Sequence, residues 1–218
     1  MCKVLLNVVS LNQIRLNFAG IKAKKGGPGG GGGTPSYENG VYIQHKDGKL
    51  YTIVEWSANG YGNDQANGVA VISDEAKFAI SKENAELPWS PSAAVVEGVF
   101  TANNSADAYT DFYGVENTAK IIEAYSSGAA FYCANYIFAN GKNGYLPGLG
   151  EWKVAHQHKN DIASAMNLIG GESFKTSEYW TSTQWNDRYY AWIIDWRNGS
   201  TRDRAKTSAY YVRAFAEL

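Results

Sequence analysis

The residue types best suited to recognition chemistry crowd the end of this chain. Of its six arginines only Arg15 precedes residue 188; Arg188, Arg197, Arg202, Arg204 and Arg213 fall in the last 31 positions, and thirteen of the fourteen lysines lie before them. Residues 179–218 also hold ten of the 30 aromatics, including Trp180, Trp185, Trp192 and Trp196. Arginine, tyrosine and tryptophan set among aspartate, serine, asparagine and glycine is the composition of a binding surface, where rigid aromatic anchors mix with adaptable polar groups. A cluster of core strands with a solvated charged face would carry the same aromatics. The arginines favour binding, because interfaces enrich arginine and ordinary solvated surfaces rely on lysine. Trp180, Trp192 and Trp196 are expected in the core, the last two separated by the alternating Ile194.

Bond-making chemistry has less support. No GxxxxGK[ST] or GxGxxG stands at a strand-helix junction, and the run of seven glycines in residues 26–33 has neither the lysine nor the following helix of a phosphate loop. His156 and His158 lie two apart on an expected helix and point about 200° from each other, so they do not share a metal as an i, i+4 pair would. They are read as solvated or partly packed. Ser, Cys and His are present, but nothing places a base beside a nucleophile and GxSxG is absent. Cys2 and Cys133 build no disulfide framework, and Cys133 reads as a buried thiol. Twenty Lys and Arg against 21 Asp and Glu leave a formal charge of −1, which gives no global attraction to nucleic acid or anionic lipid. No run approaches the roughly 18 apolar residues of a membrane span. The stretch Val4 to Leu11 is interrupted by Asn7 and lacks a small-residue cleavage site, so no cleavable signal is expected.

The elements that must position the terminal cluster fall into three parts. Residues 1–25 alternate at Ile14, Leu16 and Phe18 with Arg15 and Asn17 between, the pattern of a short strand that must pair with something, and so of an attachment or assembly segment. Residues 26–36 form a Gly-rich linker. From Tyr37 a globular head begins. Gly40–Ile43 and Leu50–Val54 are expected as a hairpin around Lys46, Asp47, Gly48 and Lys49, and Val69–Ser73 with Lys77–Ile80 as a second strand pair. Asn117 reads as the N-cap of a short helix through Lys120 to Ala124 that Gly128 ends. A second helix is expected from Gly150 to Ile169, carrying Trp152, Ala155, Ile162, Ala165 and Ile169 on its apolar stripe and closed by Gly170-Gly171. Four short strands fit residues 179–218. Strands, two helices, then strands is an α+β order.

Several of these strings together resemble one family. Tyr145-Leu146-Pro147-Gly148-Leu149-Gly150-Glu151-Trp152, Tyr179-Trp180-Thr181-Ser182-Thr183-Gln184, Ala191-Trp192 and Tyr211-Val212-Arg213-Ala214-Phe215 are similar to the C-type-lectin-fold variable proteins of diversity-generating retroelements, particularly those of gut Bacteroides and their phages. Gly40-Val41-Tyr42-Ile43, Val69–Ser73 and Tyr132-Cys133 extend the resemblance over residues 37–218. It implies a C-type lectin-like fold of the formylglycine-generating-enzyme-like variant, with two helices and a C-terminal antiparallel sheet. It further implies a non-enzymatic ligand-binding protein with no cofactor and no metal, whose terminal repeat, about residues 186–211, is diversified at template adenines, mostly in AAC codons. Randomising the first two bases of such a codon cannot yield Trp, Lys, Gln, Glu or Met, so Trp192, Trp196 and Lys206 would be fixed scaffold. Position by position, the resemblance places the ligand surface on Asn186, Asp187, Arg188, Tyr189, Tyr190, Ile193, Asp195, Arg197, Ser200, Thr201, Arg202, Asp203, Arg204, Thr207, Ser208 and Tyr210. Strand alternation should drop some of these into the core, Ile193 or Ile194 first.

By the same resemblance the partner is a protein or glycan receptor on a cell surface, reached from a phage tail or a bacterial surface. No nucleic-acid or membrane-insertion role is implied, and multivalent display, as in a homo-oligomer, would multiply weak contacts. Two alternatives share the fold. Trp185-Asn186-Asp187 looks like the calcium-binding motif of sugar-binding C-type lectins, but no proline follows Pro147, so the Glu-Pro-Asn or Gln-Pro-Asp loop that completes such a site is missing. An oxidase of the formylglycine-generating type would need a reactive cysteine pair, whereas Cys133 stands alone.

Overall fold

The computed structural model describes residues 37–218; the strand expected around Ile14–Phe18, the glycine linker and Cys2 lie outside these residues. Two sheets share the head. β1 (Gly40–His45), β2 (Leu50–Tyr51), β3 (Ala66–Ile72), β4 (Lys77–Ile80) and β11 (Phe215–Glu217) form the first, in the order β11-β4-β3-β1-β2. β5 (Ala85–Pro88), β7 (Glu178–Trp185), β8 (Tyr190–Asp195), β9 (Thr201–Ala205) and β10 (Ala209–Val212) form the second, ordered β5-β10-β7-β8-β9, with β6 (Thr101–Ala102) paired to β7. Six helices complete the described residues: α1 (Ile53–Asn59), α2 (Ser105–Ala108), α3 (Gly114–Ala124), α4 (Ala129–Asn135), α5 (Leu149–Gln157) and α6 (Lys159–Leu168). The class is α+β, as the order of sequence signals implies.

Both expected strand pairs form, with Ile43 opposite Tyr51 and Val69 opposite Ile80. The second strand of the hairpin stops at Tyr51 instead of Val54. Thr52 and Glu55 make a reciprocal capping box, Glu55 N–H donating to Thr52 Oγ1 at 3.2 Å and Thr52 N–H to Glu55 Oε2 at 2.8 Å, so the chain turns into α1.

Asn117 is not a cap. It lies buried within α3, which starts a turn earlier at Gly114, where a Cβ would meet the Tyr145 ring at 2.7 Å. Gly128 does not end α3 but opens α4 at φ 95, pressed so closely on Trp89 that a Cβ would lie 2.6 Å from its carbonyl oxygen. The helix expected over 150–169 divides at His158, and the division lets both stripes, Trp152 with Ala155 and Ile162 with Ala165, face the same core. Five strands rather than four follow Gly171. The last, β11, leaves the second sheet and pairs with β4, and the second sheet is mixed rather than antiparallel because β10 runs parallel to β7.

Two apolar clusters fill the head. One gathers Ile43, Val69, Phe78, Trp152, Ile162, Tyr179, Trp192, Trp196 and Phe215; the other gathers Trp89, Ile121, Cys133, Leu146, Trp180, Ile193 and Val212. β7 and β8 separate them. Successive side chains of a strand point to opposite faces, so these two strands are apolar on both sides, with Tyr179, Trp192 and Ile194 in one cluster and Trp180, Ala191 and Ile193 in the other.

Candidate ligand-binding face

The sixteen residues named from sequence are distributed over a hairpin and the loops at its ends. Asn186, Asp187, Arg188 and Tyr189 form the β7–β8 loop, Tyr190 opens β8, and Arg197 and Ser200 lie in the β8–β9 turn. Thr201, Arg202, Asp203 and Arg204 make up most of β9, Thr207 and Ser208 lie in the β9–β10 loop, and Tyr210 is in β10. Nine are exposed: Asn186, Arg188, Tyr189, Tyr190, Arg197, Ser200, Arg202, Thr207 and Ser208; Asp187, Thr201, Asp203, Arg204 and Tyr210 are half-buried.

Two are corrections. Ile193 is wholly buried, as is Ile194, because β8 lies between β7 and β9 with an apolar cluster on each face; alternation therefore leaves neither outside. Asp195 is also buried, its carboxylate turned under Arg197, whose Nε donates at 2.9 Å and whose Nη2 donates at 2.5 Å. These hydrogen bonds hold Asp195 below the ordinary carboxylate range.

The remainder do not share one face. β8 and β9 pair Tyr190 with Ala205, Trp192 with Asp203 and Ile194 with Thr201 on one side of the hairpin, and Ala191 with Arg204 and Ile193 with Arg202 on the other. On the arginine side the sequence reading missed a central residue. Glu178 of β7 is opposite Asp195 and almost buried; its Oε2 accepts from Arg204 Nε at 2.9 Å, its Oε1 from Arg204 Nη2 at 2.8 Å, and Arg202 Nε lies 3.2 Å from Oε1. Two buried carboxylates thus support three guanidiniums whose side chains remain 56%, 45% and 30% exposed at Arg197, Arg202 and Arg204. The acids underneath are matched, and the outward charge is positive. The available signal was an acid two residues before Trp180, on the same side of a strand. At the loop end, Arg188 stacks over the Tyr189 ring, its carbon 4.6 Å from the centroid, and Tyr189 is 45% exposed.

Beneath these side chains the scaffold is closed by buried polar bonds. Four indoles donate to backbone carbonyls: Trp89 to Thr181, Trp152 to Trp180, Trp180 to Leu87 and Trp192 to Ala102, at 2.9–3.2 Å. Lys206 is fully buried, its ammonium donating to the Ala94 carbonyl at 2.6 Å and Gln184 Oε1 at 2.7 Å, 4.5 Å above the Trp89 ring. Burial lowers it to about 8. The Lys206 amide donates to Tyr189 O at 2.8 Å, so the loops carrying Tyr189 and Thr207 are tied together.

The Tyr145–Trp152 string builds a second polar network. Glu151 accepts from Tyr145 Oη and from Gly148 N–H, both at 2.7 Å. Asp111 accepts from Thr183 Oγ1 at 2.6 Å and from Asn117 Nδ2 at 2.9 Å. Gly148 and Gly150 are needed because a Cβ on either would lie within 2.8 Å of Asp111 O. Arg213, counted by type among the C-terminal arginines but not placed on the ligand surface, is buried over Phe174 and donates to Asn84 Oδ1 and Glu172 O.

The residues of the alternative readings have ordinary surroundings. Cys133 is wholly buried in α4, and burial pushes its thiol well up, away from the reactive thiolate. Asp187 Oδ1 accepts from the Tyr189 amide at 2.5 Å. His156 and His158 are half-buried, His156 edge-on to Trp196 at 5.3 Å. No helix among the described residues is long and apolar enough to cross a membrane. A groove of about 530 Å³ along Leu87, Phe131, Tyr132, Tyr136 and Ile137 is lined by none of the sixteen candidates. The chain matches no protein-family model and no curated protein.

Proposed function

We propose that this chain is a non-enzymatic recognition protein whose C-type-lectin-like head displays a retroelement-diversified surface built by residues 186–211, and that it binds a receptor on a cell surface from a phage tail or a bacterial envelope. The observation that carries this reading is how residue types divide between Asn186 and Tyr210. Trp192, Trp196 and Lys206, the types that randomised AAC codons do not encode, are buried at 3%, 8% and 0% exposure. The arginines, tyrosines and hydroxyl residues around them reach solvent at Arg188, Tyr189, Tyr190, Arg197, Ser200, Arg202, Thr207 and Ser208. A surface that varies needs this arrangement, because substitutions at exposed side chains away from buried networks change stability little.

The resemblance strings support the fold assignment through their position. Leu149 and Gly150 from one, and Ser182 and Thr183 from another, meet in the network around Asp111 and Asn117. The chain's formal charge of −1 becomes −6 over residues 37–218, which hold 15 Lys and Arg against 21 Asp and Glu, so affinity comes from local contacts on the 186–211 surface and from avidity.

Deep sequencing of the locus within a clonal population tests the reading. Substitutions concentrated at adenine-derived positions from Asn186 to Tyr210, with Trp192, Trp196, Val212 and Arg213 unchanged, are expected. A region as invariant as the rest of the gene would overturn diversification and leave a fixed-ligand protein.

A further inference from the structure

β9 is the terminal strand of its sheet, and its hydrogen-bonding phase is set by the bonds at its two ends. Asp195 N–H donates to Ser200 O and Lys206 N–H donates to Tyr189 O, both at 2.8 Å. In an antiparallel ladder hydrogen-bonded pairs alternate with open ones, so Arg202 and Arg204 turn their backbone groups inward to β8 while Thr201, Asp203 and Ala205 turn theirs outward. Among the described residues no hydrogen bond takes the amide N–H of Thr201, Asp203 or Ala205. The edge is therefore an open template for another strand.

Its side chains select that strand. Arg202 and Arg204 stand on one face, two residues and so about 7 Å apart. Each points outward from a carboxylate already matched beneath it, and each guanidinium has five N–H groups, of which Glu178, Asp195 and the Asp203 carbonyl engage only some. A strand laid along β9 would place its residues opposite Arg202 and Arg204 in the open, closely spaced sites of the ladder, where charge pairing is strongest. A second copy of β9 does not fit. Two-fold pairing is antiparallel, and every register that joins two or more outward amides of each copy sets Arg202 or Arg204 against Arg202 or Arg204. The central register also sets Asp203 against Asp203.

From this we infer that β9 receives an extended segment of a partner protein by strand addition, with acidic side chains at alternate positions facing Arg202 and Arg204. Main-chain bonds supply affinity and the alternate carboxylates supply register. The inference rests on the proposed ligand-binding role of residues 186–211 and narrows its partner to an acidic, strand-forming peptide.

The test uses the full chain and fluorescein-labelled Thr-Glu-Thr-Glu-Thr-Glu-Thr, followed by anisotropy. This peptide is expected to bind at least about tenfold more tightly than the composition-matched Glu-Thr-Thr-Glu-Thr-Thr-Glu, in which no two glutamates lie two residues apart, or than a Lys-for-Glu version, since each matched cross-strand pair adds and each like-charge pair subtracts. N-methylation of its two inner threonines, whose amides face β9, should abolish binding. Arg202→Gln should weaken binding, and the Arg202→Glu, Arg204→Glu double variant, if folded, should prefer the lysine peptide. Equal binding of the N-methylated and unmodified peptides, or of the alternating and composition-matched peptides, would overturn strand addition. If the alternating peptide does not bind, yet glycan-array or random-peptide selection yields ligands lost on Tyr189→Ala, this inference fails and the proposed function stands. If no selected ligand responds to any change within 186–210, both fail.

Discussion

Glu151 should make the fold weaker as pH rises from acid to mildly alkaline. Its carboxyl is almost wholly buried and accepts from Tyr145 Oη and Gly148 N–H at the first turn of α5. Both hydrogen bonds and the helix N-terminus favour the ionised form, but burial outweighs them and pushes the group from its usual 4.5 up to about 8. A carboxyl raised in the folded state binds its proton more tightly there than in the unfolded chain. Stability is therefore complete below about pH 4.5, is lost progressively as the unfolded chain ionises, and levels off above about 8. At about 1.4 kcal/mol per tenfold, the ceiling on that loss is about 5 kcal/mol. Glu151→Gln keeps an oxygen for Gly148 N–H and offers an amide to Tyr145 while removing the titration. Urea midpoints by tryptophan fluorescence, at about pH 5 and about pH 8, should fall by about 1 M or more for the parent chain and stay nearly level in the variant. Asp111, raised by the same cause, contributes equally to both proteins, and Lys206 acts only above about 8, so the difference isolates Glu151. Parallel slopes for the two proteins would mean that Glu151 is ionised inside the fold and that the balance of burial against hydrogen bonding has been misjudged.

Lys206 has the opposite sign: its ammonium is lowered from 10.5 to about 8, so the cost of holding it charged is relieved as pH rises between those values. Lys206→Met should abolish that rise and, by stranding the Ala94 carbonyl, cost about 1–3 kcal/mol at neutral pH, read from urea midpoints. Gly150→Ala drives a Cβ to 2.8 Å from both Asp111 O and the Phe112 ring and should destabilise by about 1–3 kcal/mol in a thermal melt. Tyr189→Ala should shift the melt by no more than about 0.5 kcal/mol while weakening ligand binding, since the ring is 45% exposed and packs only on its neighbours. Cys133 should resist a thiol-specific disulfide reagent until the chain is unfolded, and rapid labelling of the native protein would contradict its burial in α4.

The α+β order, both strand pairs and the buried tryptophans were legible because each rests on local periodicity. What escaped the sequence depends on partners far away in the chain. Asn117 has the type of a helix cap, yet tertiary demand placed it inside α3, where its amide bridges Asp111 to Ser182 and its oxygen accepts from Phe100 N–H. Val54 is β-branched, but the Thr52–Glu55 cap took it into a helix. Asp195 has the polarity of a displayed residue, and only the register that sets it opposite Glu178 reveals a carboxylate held under arginines. Alternation marked Ile193 or Ile194 as the first to drop into the core; a strand covered on both faces buries both.

The arginine cluster also shows why the displayed surface is not independent of its scaffold. Glu178 precedes the region proposed to vary, whereas Arg202 and Arg204, the cations that satisfy it, lie within that region. A nearly buried carboxylate left without either would be an unpaired charge in low dielectric, which is among the few large penalties available to a single change. Loss of one arginine leaves the other in place, so each is individually replaceable while the pair is not. Asp195 stands differently, because it and Arg197 both lie inside the segment proposed to vary and could be exchanged together without stranding a charge. The tolerance of this face to substitution is therefore set by which partner of each buried pair lies outside residues 186–211. By that criterion Arg202 and Arg204, the two residues facing the open edge of β9, form the most constrained part of the displayed surface.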